Sequence, residues 1–94
     1  MAELGSWNID EMKACNLPQR AASAFTAVTS DLVGAEYMPV LYVGTQLVKG
    51  TNHCIIALQT LVVPTAPKKL VKMVINEGLE QNEYTLVSIR GIQI

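Results

Sequence analysis

Apolar residues recur at Ala21, Ala24, Phe25, Val28, Leu32 and Val33, a spacing of three and four that lays one stripe along a helix. Asn16-Leu17-Pro18 starts that helix. Proline tolerates the first turn because its missing N–H would have no partner there, and Asn16 is the better capping acceptor of the two residues before it. Gly34 supplies the stop. Several members of the stripe are alanines, so a neighbouring element can approach it closely. After Gly34 the pattern changes. Residues 37–49, 52–63, 68–76 and 83–93 are rich in Val, Ile, Leu, Tyr and Thr. Between them lie Gly50-Thr51-Asn52, Pro64-Thr65-Ala66-Pro67 and Gly78-Leu79-Glu80-Gln81-Asn82. Apolar β-formers bounded by turn residues at short intervals read as consecutive hairpins.

The segment 68–76 alternates most cleanly, with Val71, Met73 and Ile75 on one face and Lys72, Val74 and Asn76 on the other. Pro39 cannot donate to a ladder, which predicts an edge or a bulge near the start of the first long strand. Residues 1–15 carry no clear period, and Trp7, Ile9 and Met12 are the side chains able to pin that arm. The layout is α+β: one helix packed on an antiparallel sheet of four to five strands.

The chain has 94 residues, one domain over 1–94 with a thin stability margin. Half of the residues are apolar and 16% are charged. That is too apolar for disorder, and the excess points toward a partner interface, self-association included. The net charge is -1, with seven basic residues scattered along the chain, so no phosphate-tracking stripe exists and nucleic acid is not the expected partner. No apolar run reaches the ~20 residues of a spanning helix, so no membrane is expected either. Met1-Ala2-Glu3-Leu4-Gly5 lacks the basic-then-apolar pattern of a secretory leader, and the expected location is cytoplasmic. In that compartment Cys15 and Cys54 are expected as free thiols.

His53 and Cys54 are adjacent, but neighbours on a strand point to opposite faces, and a thiol nucleophile needs its base within hydrogen-bond reach. One histidine and two distant cysteines do not make a zinc site. Glu77, Glu80 and Glu83 surround a turn and read as solvated surface. No catalytic pair, metal set or cofactor motif remains, so an enzyme is not expected.

The informative segment is Tyr42-Val43-Gly44-Thr45-Gln46-Leu47-Val48-Lys49-Gly50-Thr51-Asn52. It resembles the first inhibitory hairpin of the cystatin and stefin family, whose pattern is Gln-x-Val-x-Gly followed by Thr-Asn. Gln46, Val48, Gly50, Thr51 and Asn52 all match. Leu4-Gly5 fits the family's apolar-Gly at the end of a flexible trunk, here residues 1–8. In the last hairpin, where the family carries Pro-Trp or Leu-Pro, this chain has Leu79-Glu80: the leucine is kept and the proline is lost.

The resemblance covers roughly residues 4–92 and implies a cystatin-like fold. It also implies reversible, non-covalent inhibition of papain-like (cathepsin-type) cysteine proteases, with the trunk and two hairpin tips filling the active-site cleft. The protease-binding residues it implies are Leu4, Gly5, Gln46, Leu47, Val48, Lys49, Gly50, Leu79 and Glu80. Leu79 also reads as a small staple onto the core. The alternative is a cystatin-fold scaffold, natural or engineered, used for self-assembly or another partner without inhibition. A homodimer fits the same resemblance. The Gln46–Gly50 hairpin would open as a hinge, driven by strain on the β-branched Val48 in a tight turn.

Overall fold

A computed structural model describes residues 6–8, 13–14 and 16–93. Its elements are β1 (Trp7–Asn8), β2 (Lys13–Ala14), α1 (Gln19–Thr29), β3 (Ala35–Val48), β4 (Gly50–Leu61), β5 (Lys68–Glu77) and β6 (Tyr84–Gly91). The four long strands form an antiparallel meander in the order β3-β4-β5-β6, and both short strands pair with the outer edge of β3. One helix packed on a four-stranded antiparallel sheet is the α+β arrangement that the pattern predicts.

The helix is shorter than its apolar stripe. Pro18, not Asn16, is the residue before the first helical turn, and no side chain caps it. The Pro18 carbonyl takes the first helical bond, from Ala22 N–H at 2.8 Å. At the other end the helix stops at Thr29, five residues before Gly34. The Thr29 hydroxyl donates to Phe25 O at 2.7 Å and the Ser30 hydroxyl to Ala27 O at 2.9 Å. Such side-chain bonds satisfy the last carbonyls locally and favour termination. Ala21, Ala24, Phe25 and Val28 are buried as expected, and Leu32 packs partly against the core. Val33 corrects the expectation: it is 95% exposed, because the chain has already left the helix. Gly34 sits at φ +87° and turns the chain into β3.

The core lies between α1 and the inner face of the sheet. Tyr42, Ile55, Val71, Met73 and Ile75 are its largest fully buried side chains. Ala21, Ala24 and Ala57 present no accessible surface, so helix and sheet meet through short side chains. Val71, Met73 and Ile75 face the helix as the alternation of 68–76 predicts. Near Pro39 the pairing of β3 with β4 slips, between Pro39 and Leu41 and again between Tyr42 and Gly44. The proline is absorbed by a bulge. Each extra residue flips the side-chain alternation.

The strand ends also differ from the sequence reading. Thr51 and Asn52 lie inside β4, opposite Leu47 and Gln46, so the first reversal is Val48-Lys49-Gly50 and not Gly50-Thr51-Asn52. Trp7 and Asn8 pair with Gln46 and Thr45, so pairing begins inside the expected trunk. Trp7 is 41% exposed. Ile9 and Met12 lie outside the described residues.

Candidate functional site

Because the sheet is a meander, the β3–β4 reversal and the β5–β6 loop emerge at the same end. The strand registers make them neighbours: Thr51 pairs with Glu77 one step from the reversal. Gly50 is buried at φ +82°, a backbone state that costs a residue bearing Cβ about 1–2 kcal/mol. A Cβ there would overlap the Glu77 carbonyl oxygen and stand 3.1 Å from Gly78 Cα. Glycine is therefore required twice at this position, for its dihedral and for the close approach of β5. Val48 lies within regular β3, and Gly50 carries the left-handed backbone of the reversal. Val48 is not among the residues of positive φ, so the left-handed backbone of the turn does not fall on it.

The second loop, residues 78–83, is closed by Gly78 N–H donating to Glu83 O at 2.6 Å and by Glu83 N–H donating to Glu80 O at 3.3 Å. Asn82 takes φ +61°, which asparagine tolerates better than most residues. A Cβ on Gly78 would overlap the Glu83 carboxylate.

On the sheet face away from α1, three amides line up across three strands, because Gln46 pairs with Asn52 and Asn52 with Asn76. Asn76 Nδ2 donates to Lys49 O at 3.2 Å and to Asn52 Oδ1 at 2.9 Å. Asn52 Nδ2 donates in turn to Gln46 Oε1 at 3.0 Å. The Lys49 carbonyl can only accept, so it sets the orientation of Asn76 and, through it, of the other two amides.

On the helix face of the same end, His53 is buried. Its Nε2 lies 2.9 Å from Glu77 Oε1 and its Nδ1 lies 3.0 Å from the Tyr42 hydroxyl. An ionised Glu77 can only accept, so Nε2 carries a proton and donates to it, while Nδ1 and the Tyr42 hydroxyl share the other bond. Arg20, in the first turn of α1, reaches the same carboxylate: Nε stands 3.0 and 3.1 Å from its two oxygens and Nη2 3.0 Å from Oε1. Partial burial pushes the Glu77 carboxyl up, but the bonds from Arg20 and His53 outweigh it and hold the group below the usual carboxylate range. The Arg20 guanidinium is raised above its ordinary value, chiefly by its bond to Glu77. Glu77 is thus not the solvated surface charge that its place among Glu80 and Glu83 suggests.

Of the expected site residues, Gln46, Leu47, Val48, Lys49, Gly50, Leu79 and Glu80 gather at this end. Leu47 is 48% and Leu79 72% exposed, so Leu79 is no staple on the core. Lys49 and Glu80 are exposed, Val48 is partly buried, and Gln46 is tied into the amide row. Leu4 and Gly5 lie outside the described residues. β1 runs antiparallel to β3 with Trp7 opposite Gln46, so Trp7, its first residue, is the one nearer the reversal.

His53, Asn76 and Glu77 were not legible as parts of this site. Their one sequence signal is polarity near the ends of two apolar strands, His53 in β4 and the consecutive Asn76-Glu77 at the end of β5. Cys54 points to the opposite face from His53; it is a free, buried thiol whose pKa is raised by burial. Among the described residues no group of His, Cys, Asp and Glu could hold a metal ion, and no helix is long and apolar enough to cross a membrane. No family model, curated protein or solved structure matches this chain.

Proposed function

We propose that this chain is a cystatin-like, reversible inhibitor of papain-type cysteine proteases that acts by occlusion, without chemistry of its own. The observation that carries the reading is the packing of Gly50 against the Glu77 carbonyl and Gly78. It joins the Gln46–Gly50 reversal and the 78–83 loop into one wedge, with β1 beginning beside Gln46. Leu47, Val48, Lys49, Leu79 and Glu80 are the side chains that a cleft would meet. The wedge is held before any partner arrives, so little ordering entropy is lost on binding. A free Cys54 suits work in the cytosol.

The test is titration of papain with the intact chain at nanomolar enzyme. Stoichiometric loss of hydrolysis, recovered on dilution and with the inhibitor uncleaved, is the expected result. Undiminished hydrolysis at micromolar chain would overturn the proposal.

A second reading, a scaffold that assembles with a second copy, draws on the lengths of β3 and β4. Fourteen and twelve residues joined by a one-residue tip would merge into one long strand if the reversal opened, and the same contacts would re-form between two chains. Because the contacts are the same in both states, concentration would decide between one chain and two. Light scattering over a wide dilution series tests this reading, and a mass that never changes excludes it.

A further inference from the structure

The first wedge tip is a reversal of minimal length, and the carbonyl of its tip residue, Lys49, accepts from a side chain outside the hairpin. That side chain is Asn76, on β5, which the inhibitory motif does not include. We infer that Asn76 is the positioning residue of the tip: its amide clamps Lys49 O and passes the constraint through Asn52 to Gln46.

Three observations carry this. Asn76 Nδ2 uses both hydrogens, one on Lys49 O and one on Asn52 Oδ1, so neither bond can be kept by rotating the amide. The chain of donors has a single direction, set by an acceptor-only carbonyl at one end, and its two amide–amide links fall on registered cross-strand pairs. Gly50 is fixed by a separate contact, because it lies against the backbone carbonyl of Glu77. Asn76 and Glu77 are consecutive and hold one tip by two contacts, a side-chain amide on Lys49 O and a backbone carbonyl against Gly50. In this arrangement Gln46 and Asn52 serve the shape of the tip, while contact falls to Leu47, Val48 and Lys49.

The inference deepens the occlusion reading and rests on it for its consequence in binding, but its structural half is read without any protease. Asn76→Asp keeps the shape and removes both donors, and Asn76→Ala removes the group. Amide exchange at Lys49 and Gly50, measured by NMR, is expected to accelerate about tenfold in both variants, the loss of one to two modest hydrogen bonds. Exchange in the middle of β4 and β5 should stay unchanged. In Asn76→Asp alone, protection at the tip should return as pH falls through the carboxyl range near ~4, because a protonated acid regains a donor. A general loss of stability would not produce that pH profile.

Against papain, both variants should dissociate about tenfold faster with little change in association. Tip exchange that matches the parent in both variants overturns the inference. A parent that fails to inhibit papain overturns the occlusion reading, and the exchange data still decide the role of Asn76. Should Asn76→Ala fail to fold, the acid recovery of Asn76→Asp carries the same decision.

Discussion

The carbonyl oxygen of Glu77 occupies the space where a side chain on Gly50 would begin. The first tip is therefore shaped by a residue 27 positions away as much as by its own turn. Gly50→Ala meets two penalties, a left-handed backbone at φ +82° and displacement of β5. Together they should destabilise the chain by about 2–4 kcal/mol. Urea unfolding monitored at Trp7 and by circular dichroism checks this, and a loss below ~0.5 kcal/mol would show that the two strands part easily.

Leu79 offers the complementary case. It is 72% exposed and is not among the hydrophobic residues packed against the core. Leu79→Ala should leave stability within about 0.5 kcal/mol of the parent. If the wedge enters a protease cleft, the same change should weaken papain inhibition by about tenfold, the expected effect of losing a buried aliphatic anchor. Inhibition equal to that of the parent would remove the second loop from the contact surface.

Phe25 is the only phenylalanine and is 6% exposed in the interface of α1 with the sheet. The short side chains of Ala21 and Ala24 on the same buried stripe cannot fill the space that its ring would leave. Phe25→Ala is expected to cost roughly 3–5 kcal/mol, a large part of a small domain's stability. A midpoint shift worth less than ~1 kcal/mol would mean that the helix presents another face to the sheet.

Glu77 gives a pH dependence with a definite sign. Its carboxyl is lower in the folded chain than the ordinary value of 4.5, so the folded state holds the ionised form more tightly than the unfolded state does. The resulting stability is present above the unfolded value and is lost as pH falls through the folded one. Urea midpoints between pH 7 and pH 3 should decline more steeply for the parent than for Glu77→Gln. Parallel curves would show that Arg20 and His53 contribute no ionic stabilisation through this group.

Periodicity made the helix stripe, the alternation of Val71, Met73 and Ile75 and the bulge at Pro39 legible, because each follows from local geometry. The ends of elements were not. Thr29 and Ser30 end the helix through their own hydroxyls, and Val33 shares the apolar character of the stripe without its burial. The reversal fell two residues early because Thr51 and Asn52 read as turn formers, whereas cross-strand partners hold them in β4. The motif located the tip. What holds the tip is spread over Asn76, Glu77, His53 and Arg20, which are joined by strand register and by the seating of α1, relations that no single stretch of sequence contains.

The meander leaves one more mark on the molecule, in the order of its assembly. Between Ala35 and Gly91 every strand pairs with the next in the chain, so three short closures build the long strands outward from their turns, each at little entropic cost. Only β1 and β2 must bridge the whole helix to reach β3. Contacts of such separation form after the local ones. The pairing of β1 beside the first tip is thus the step that waits on the rest of the body.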